Sequence, residues 1–151
     1  MNSEKIVKTF HYCRQDSVAL HHILGTCVQN VFDTSAVDCF RNQLGVYKEN
    51  DFIFQKNKII GKFNNLKISG LNQVLKKYEA PNGINKFKDK FHNMFREGDD
   101  SITAKRPIDP QYQEYCVMDV MDLPFVRRRM SEGLNPSLVR WLGSLYSKQN
   151  D

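Results

Sequence analysis

Two short stretches of the chain hold residues whose types and spacing could do chemistry. In KTFHYCRQDSVALHHILG, Lys8 to Gly25, an alternating run gives way to an amphipathic one at Arg14–Asp16, just where a carboxylate appears. A charge at the mouth of a strand is either a helix cap or a working group. In RPIDPQYQEYCVMDVMDLPFVRRRM, Tyr115 and Asp119 stand four residues apart, which on a helix stacks a phenol one turn before a carboxylate. Periodicity alone makes Tyr115 half-buried and Asp119 solvated. Arg14 and Arg106 flank the two stretches, and either could pair with a carboxylate or a phosphate. Arg127, Arg128 and Arg129 form the densest basic run. Such a run is usually a solvated face, but here it follows the Tyr115 helix, where a phosphate backbone could pass.

The elements that must position these residues follow from periodicity. Ile6 to Tyr12 reads as a strand, and Ser17 to Leu24 as a helix with Val18, Leu20, Ile23 and Leu24 inward and Gly25 as terminator. A second strand is expected at Cys27 to Phe32, then a helix from about Ser35 to Leu44 capped by Asp33 or Thr34. Strand-helix-strand-helix order predicts parallel neighbours in an α/β sheet. Gly45 to Lys67 has poor periodicity and reads as a loop or irregular hairpin insertion. Ser69 is placed to cap a short helix ending near Tyr78. In NKFKDKFHNMFREGDD, Phe87, Phe91 and Phe95 recur every fourth residue among lysines. An aromatic and basic surface for RNA is the sharper reading, and a core stripe with solvated lysines the preferred one. Asp109 followed by Pro110 predicts a helix start, and that helix should run towards Leu123.

Composition narrows the class. The 151 residues suit one domain, and 40% apolar content is ordinary for a globular protein. No apolar run reaches the roughly 20 residues that span a bilayer, and MNSEKIVKTF lacks the apolar stretch of a signal peptide, so a cytoplasmic or nuclear setting is expected. Cys13, Cys27, Cys39 and Cys116 have no zinc or disulfide spacing and read as buried thiols. His11 falls at the end of a strand, and the adjacent His21 and His22 point apart, a poor metal pair. A net charge of +5 suits an anionic partner such as nucleic acid.

HYCRQDSVAL, then NVFDT, then RPI a few residues before Tyr-x-x-x-Asp-Val, resembles the RNase D-like 3'-5' exonuclease domain, in the branch of egalitarian and exonuclease-domain proteins of germline RNA pathways. The resemblance covers roughly Ile6 to Met130. It places Asp16 at the active-centre aspartate of the second exonuclease motif, and Tyr115 and Asp119 at the third. It implies an RNase H-like α/β fold and a site where four carboxylates hold two divalent ions about 4 Å apart. An active enzyme would use Mg2+ or Mn2+ on Asp16 and Asp119, with Tyr115 orienting the attacking water. Two of the four ligands belong to an Asp-x-Glu motif, and no Asp-x-Glu occurs in this sequence.

The expectation is an α/β, RNase H-like exonuclease domain over residues 1–131 with an N-terminally incomplete mixed sheet, an insertion at about 45–68, and a C-terminal helix or tail over 132–151. The function that follows is binding of RNA or single-stranded nucleic acid with catalysis lost or impaired, and no cofactor unless active. Arg14, Arg106, Arg127, Arg128 and Arg129 are the candidate nucleic-acid contacts. One alternative is an active exonuclease whose missing ligands come from elsewhere. Another is a protein-interaction adaptor. An incomplete sheet would leave an edge open, which predicts pairing with a second copy or a partner protein unless the insertion covers it.

Overall fold

A computed structural model describes residues 3–43 and 67–147. Strand β1 (Lys8–Phe10) leads into helix α1 (Arg14–Leu24), strand β2 (Val31–Asp33) and helix α2 (Thr34–Gln43). Helices α3 (Leu71–Lys77), α4 (Lys88–Arg96), α5 (Ser101–Ala104), α6 (Pro110–Met118), α7 (Leu123–Ser131) and α8 (Pro136–Ser147) follow. Most of the insertion expected at about 45–68 lies outside the described residues.

The two strands are parallel, with Lys8 opposite Val31, Thr9 opposite Phe32 and Phe10 opposite Asp33. Strand-helix-strand-helix order and parallel pairing are as the sequence predicts, but both strands are shorter. Tyr12 at φ 62° and Asn30 at φ 53° leave the extended region, ending β1 early and delaying β2. Alternation along β2 sends Val31 to a small cluster with Cys13 and Val28 and Phe32 to the main core. That main core is built from α2, α3, α7 and α8, so residues 132–147 include a core helix that supplies Leu138 and Leu142.

Several expected details are corrected. Helix α1 buries Ser17 and packs Leu20, while Val18, Ile23 and Leu24 are exposed, Ile23 by 78%. The two short strands among the described residues are too narrow a platform to cover a full apolar stripe. Ser69 does not cap α3; Gly70 stands at the N-cap, its N–H bonded to Gln73 Oε1 at 3.1 Å, while Ser69 Oγ donates to buried Asp38 at 2.8 Å. The Asp109 cap and Pro110 start are as expected. That helix nevertheless ends at Met118, with Asp119 at its C-cap, and Pro124 stands in the first turn of the next helix. Cys13 and Cys39 are buried, but Cys27 and Cys116 are exposed.

Helix α8 closes one side of the sheet. Lys8 N donates to Asn30 O, so by alternation the Val31 carbonyl points away from β1, and Gly143 of α8 packs on it. Among the described residues β1 pairs only with β2, leaving the outward amide and carbonyl of Thr9 without a neighbouring strand.

Candidate functional site

The first half of the site is the junction of β1 and α1. Asp33, fully buried, accepts hydrogen bonds from the backbone N–H groups of Tyr12 (3.0 Å) and Cys13 (2.8 Å). It also accepts from Ser35 N (2.8 Å), Ser35 Oγ (2.6 Å) and Ala36 N (3.4 Å). It therefore caps α2 and pins the end of β1 to it, a role periodicity had left open between Asp33 and Thr34. Cys13 beside it is held as a thiol, first by burial and then by the Asp33 charge.

Asp16 lies in the first turn of α1, which has no side-chain cap. It is a working-group candidate and not a cap. The residue is exposed, yet partial loss of hydration, followed by the Asp33 charge, raises its carboxyl above the ordinary value. With so much of the residue in solvent the energetic weight is small.

The second half joins α4 to α6. Asp119 sits at the C-cap of α6, its N–H bonded to Tyr115 O at 3.1 Å. One carboxylate oxygen accepts from Asn85 Nδ2 at 2.8 Å and the other from Lys88 Nζ at 2.5 Å. Asp119 is thus paired and partly buried, contrary to the solvated position that periodicity suggests. Burial first, then the Asp119 charge, pushes the Tyr115 phenol far up, so it stays protonated. Lys88 Nζ lies 5.3 Å from the centre of the Tyr115 ring.

Lysines of α4 and its approach thus reach α6. Lys86 pairs with Glu114 at 2.8 Å, and Lys90 bonds to Gln111 Oε1. Beneath them Phe91 is fully buried against Tyr112 and Tyr115, while Phe87 and Phe95 are only half-buried, so the middle residue alone fulfils the expected core stripe. The lysines are not merely solvated, because each is engaged with α6.

His11 directly follows β1. Its Nδ1 lies 2.9 Å from Thr34 Oγ1, which spends its one proton on Phe10 O at 3.0 Å. The hydroxyl can therefore only accept, so Nδ1 carries the imidazole proton. Burial, the leading cause, and the positive charge of Lys88 lower the His11 pKa, opposed by Asp33, the Ser69 carbonyl and Asp119. A neutral ring at neutral pH follows.

Among the described residues no group of three or more His, Cys, Asp or Glu side chains is arranged to hold a metal ion. The candidate arginines are spread out. Arg14 lines a shallow open depression of about 320 Å³ with Tyr12, Gln15, Val18 and Ala19. Arg106 turns back on the Thr103 and Lys105 carbonyls at 3.0 and 2.7 Å. Arg127 is half-buried and Arg128 exposed, whereas Arg129 reaches Glu79 at 3.6 Å and lies over Phe125. The three consecutive arginines do not form one surface. Sequence reasoning missed Asn85, Lys88 and His11, for which no local spacing gives a signal.

No known protein family, curated protein or solved structure matches the chain.

Proposed function

We propose that the chain is an RNase H-like, exonuclease-related domain that binds RNA or single-stranded nucleic acid in the cytoplasm, with cleavage lost or impaired. One observation carries this. Helix α7, the next helix after Tyr115 and Asp119, packs against β1, which leads into the Asp16 stretch, although the two are remote in sequence. The parallel strand-helix-strand-helix unit agrees with such a fold. No helix among the described residues is long and apolar enough to cross a membrane. The engagement of Asp119 by Lys88 and Asn85 argues against efficient cleavage.

The experiment is filter binding of a single-stranded RNA over a salt series. Phosphate contacts make log K fall linearly with log salt. No binding, or binding indifferent to salt, overturns the proposal.

A second reading is a protein-interaction adaptor that pairs with a second copy or a partner strand. It is favoured by the outer edge of β1, where Thr9 has no neighbouring strand among the described residues and Ile6 and Val7 are exposed. Sedimentation over a concentration series, with amide exchange at Val7 and Thr9, tests self-pairing. A monomer with those amides protected removes it.

A further inference from the structure

A divalent cation at Asp119 would have to find free carboxylate oxygens there. The Asp119 carboxylate has about four lone-pair sites, and Lys88 Nζ and Asn85 Nδ2 each direct a hydrogen at one of its two oxygens. Each donor puts positive charge where a cation would sit. Asn85 cannot swing aside cheaply: its residue is 1% exposed, its Nδ2 also donates to Tyr115 O at 2.9 Å, and its Oδ1 accepts from Phe87 N at 3.1 Å. Asp33 is spent on five donors, and among the described residues no three His, Cys, Asp or Glu side chains, Asp16 and Asp119 included, are grouped to hold a metal ion. Magnesium demands near-octahedral oxygen coordination, and this donor set does not fit it.

Lys88 does fit. Its ammonium has three protons, and besides the Asp119 oxygen it faces the Tyr115 ring. The side chain remains 30% exposed, so a proton is within reach of an arriving anion. We infer that Lys88 is a resident cation standing where a divalent metal would stand at Asp119, and that this face takes a phosphate group of a nucleic acid without metal. The phosphate half rests on the nucleic-acid binding proposed above; the cation half does not.

Two measurements separate them. In a manganese titration followed by amide line broadening, the wild-type chain keeps sharp Tyr115 and Asp119 signals, whereas Lys88→Met, which frees one carboxylate oxygen, broadens them. Selective broadening at Asp119 in the wild type at submillimolar manganese overturns the inference. In anisotropy with a labelled single-stranded RNA, affinity is the same in EDTA and in magnesium. Lys88→Met lowers it several-fold and reduces the salt slope by about one, and Lys88→Arg restores both. Loss of RNA binding in EDTA overturns metal independence. Failure to bind RNA in either buffer overturns the proposed function, while the manganese titration still decides the role of Lys88.

Discussion

Gly143 of α8 lies so close to Val31 of β2 that a β-carbon built on it would be 1.8 Å from the Val31 carbonyl oxygen and 2.7 Å from its carbonyl carbon. Backbone cannot retreat as a flexible side chain does, so α8 or the strand must shift. Gly143→Ala should therefore destabilise the fold, by about 2 kcal/mol or more despite alanine's better helix propensity. Urea unfolding checks this, and a midpoint equal to wild type would mean that α8 does not seat on the strand edge.

Asn85 is the buried tie between the approach to α4 and the end of α6. Asn85→Ala removes three side-chain hydrogen bonds and leaves the Phe87 amide and Tyr115 carbonyl without that partner. The expected cost is about 2–4 kcal/mol. A loss below about 0.5 kcal/mol in equilibrium unfolding would show that water replaces the side chain without penalty.

Lys88 and Asp119 should be coupled. Both side chains are partly exposed, at 30% and 22%, so the pair is worth less than a buried one. A double-mutant cycle with Lys88→Met and Asp119→Asn should give a coupling of about 1 kcal/mol that shrinks in high salt. Strict additivity would rule the contact out.

His11 sets a sign for the pH dependence. Its folded pKa lies below the ordinary 6.5, so the fold favours the neutral ring. That contribution is fully present above 6.5 and is lost as pH falls through the depressed folded value. Asp16 acts oppositely in a lower window: its raised pKa favours the protonated carboxyl, a contribution fully present below 3.8 and lost as pH rises through the folded value. Stability followed by denaturant titration from about pH 8 to about pH 5 should fall on acidification, and His11→Asn, which keeps a donor near Thr34, should flatten the curve. An unchanged curve in the variant would remove His11 as its source.

An end-labelled single-stranded RNA, incubated with the chain in magnesium or manganese, should shorten no faster than with an Asp119→Ala control. A product ladder that vanishes in that control would establish an active exonuclease.

By itself the sequence determined the local features whose causes are local. The parallel order of β1, α1, β2 and α2, the Asp109–Pro110 helix start and the burial of Phe91 are written in periodicity and capping chemistry within a few residues. Tertiary structure decided which apolar faces find a cover. Val18, Ile23 and Leu24 have the spacing of a core stripe, yet they stay exposed because, among the described residues, no wide sheet lies under them. It also decided partners: Asp119 is paired because Lys88 and Asn85 arrive from another element, and Ser69 leaves its expected cap for Asp38. Hydrogen bonds and charges act over a few ångströms in space, and spacing along the chain records only those that close within a turn or two.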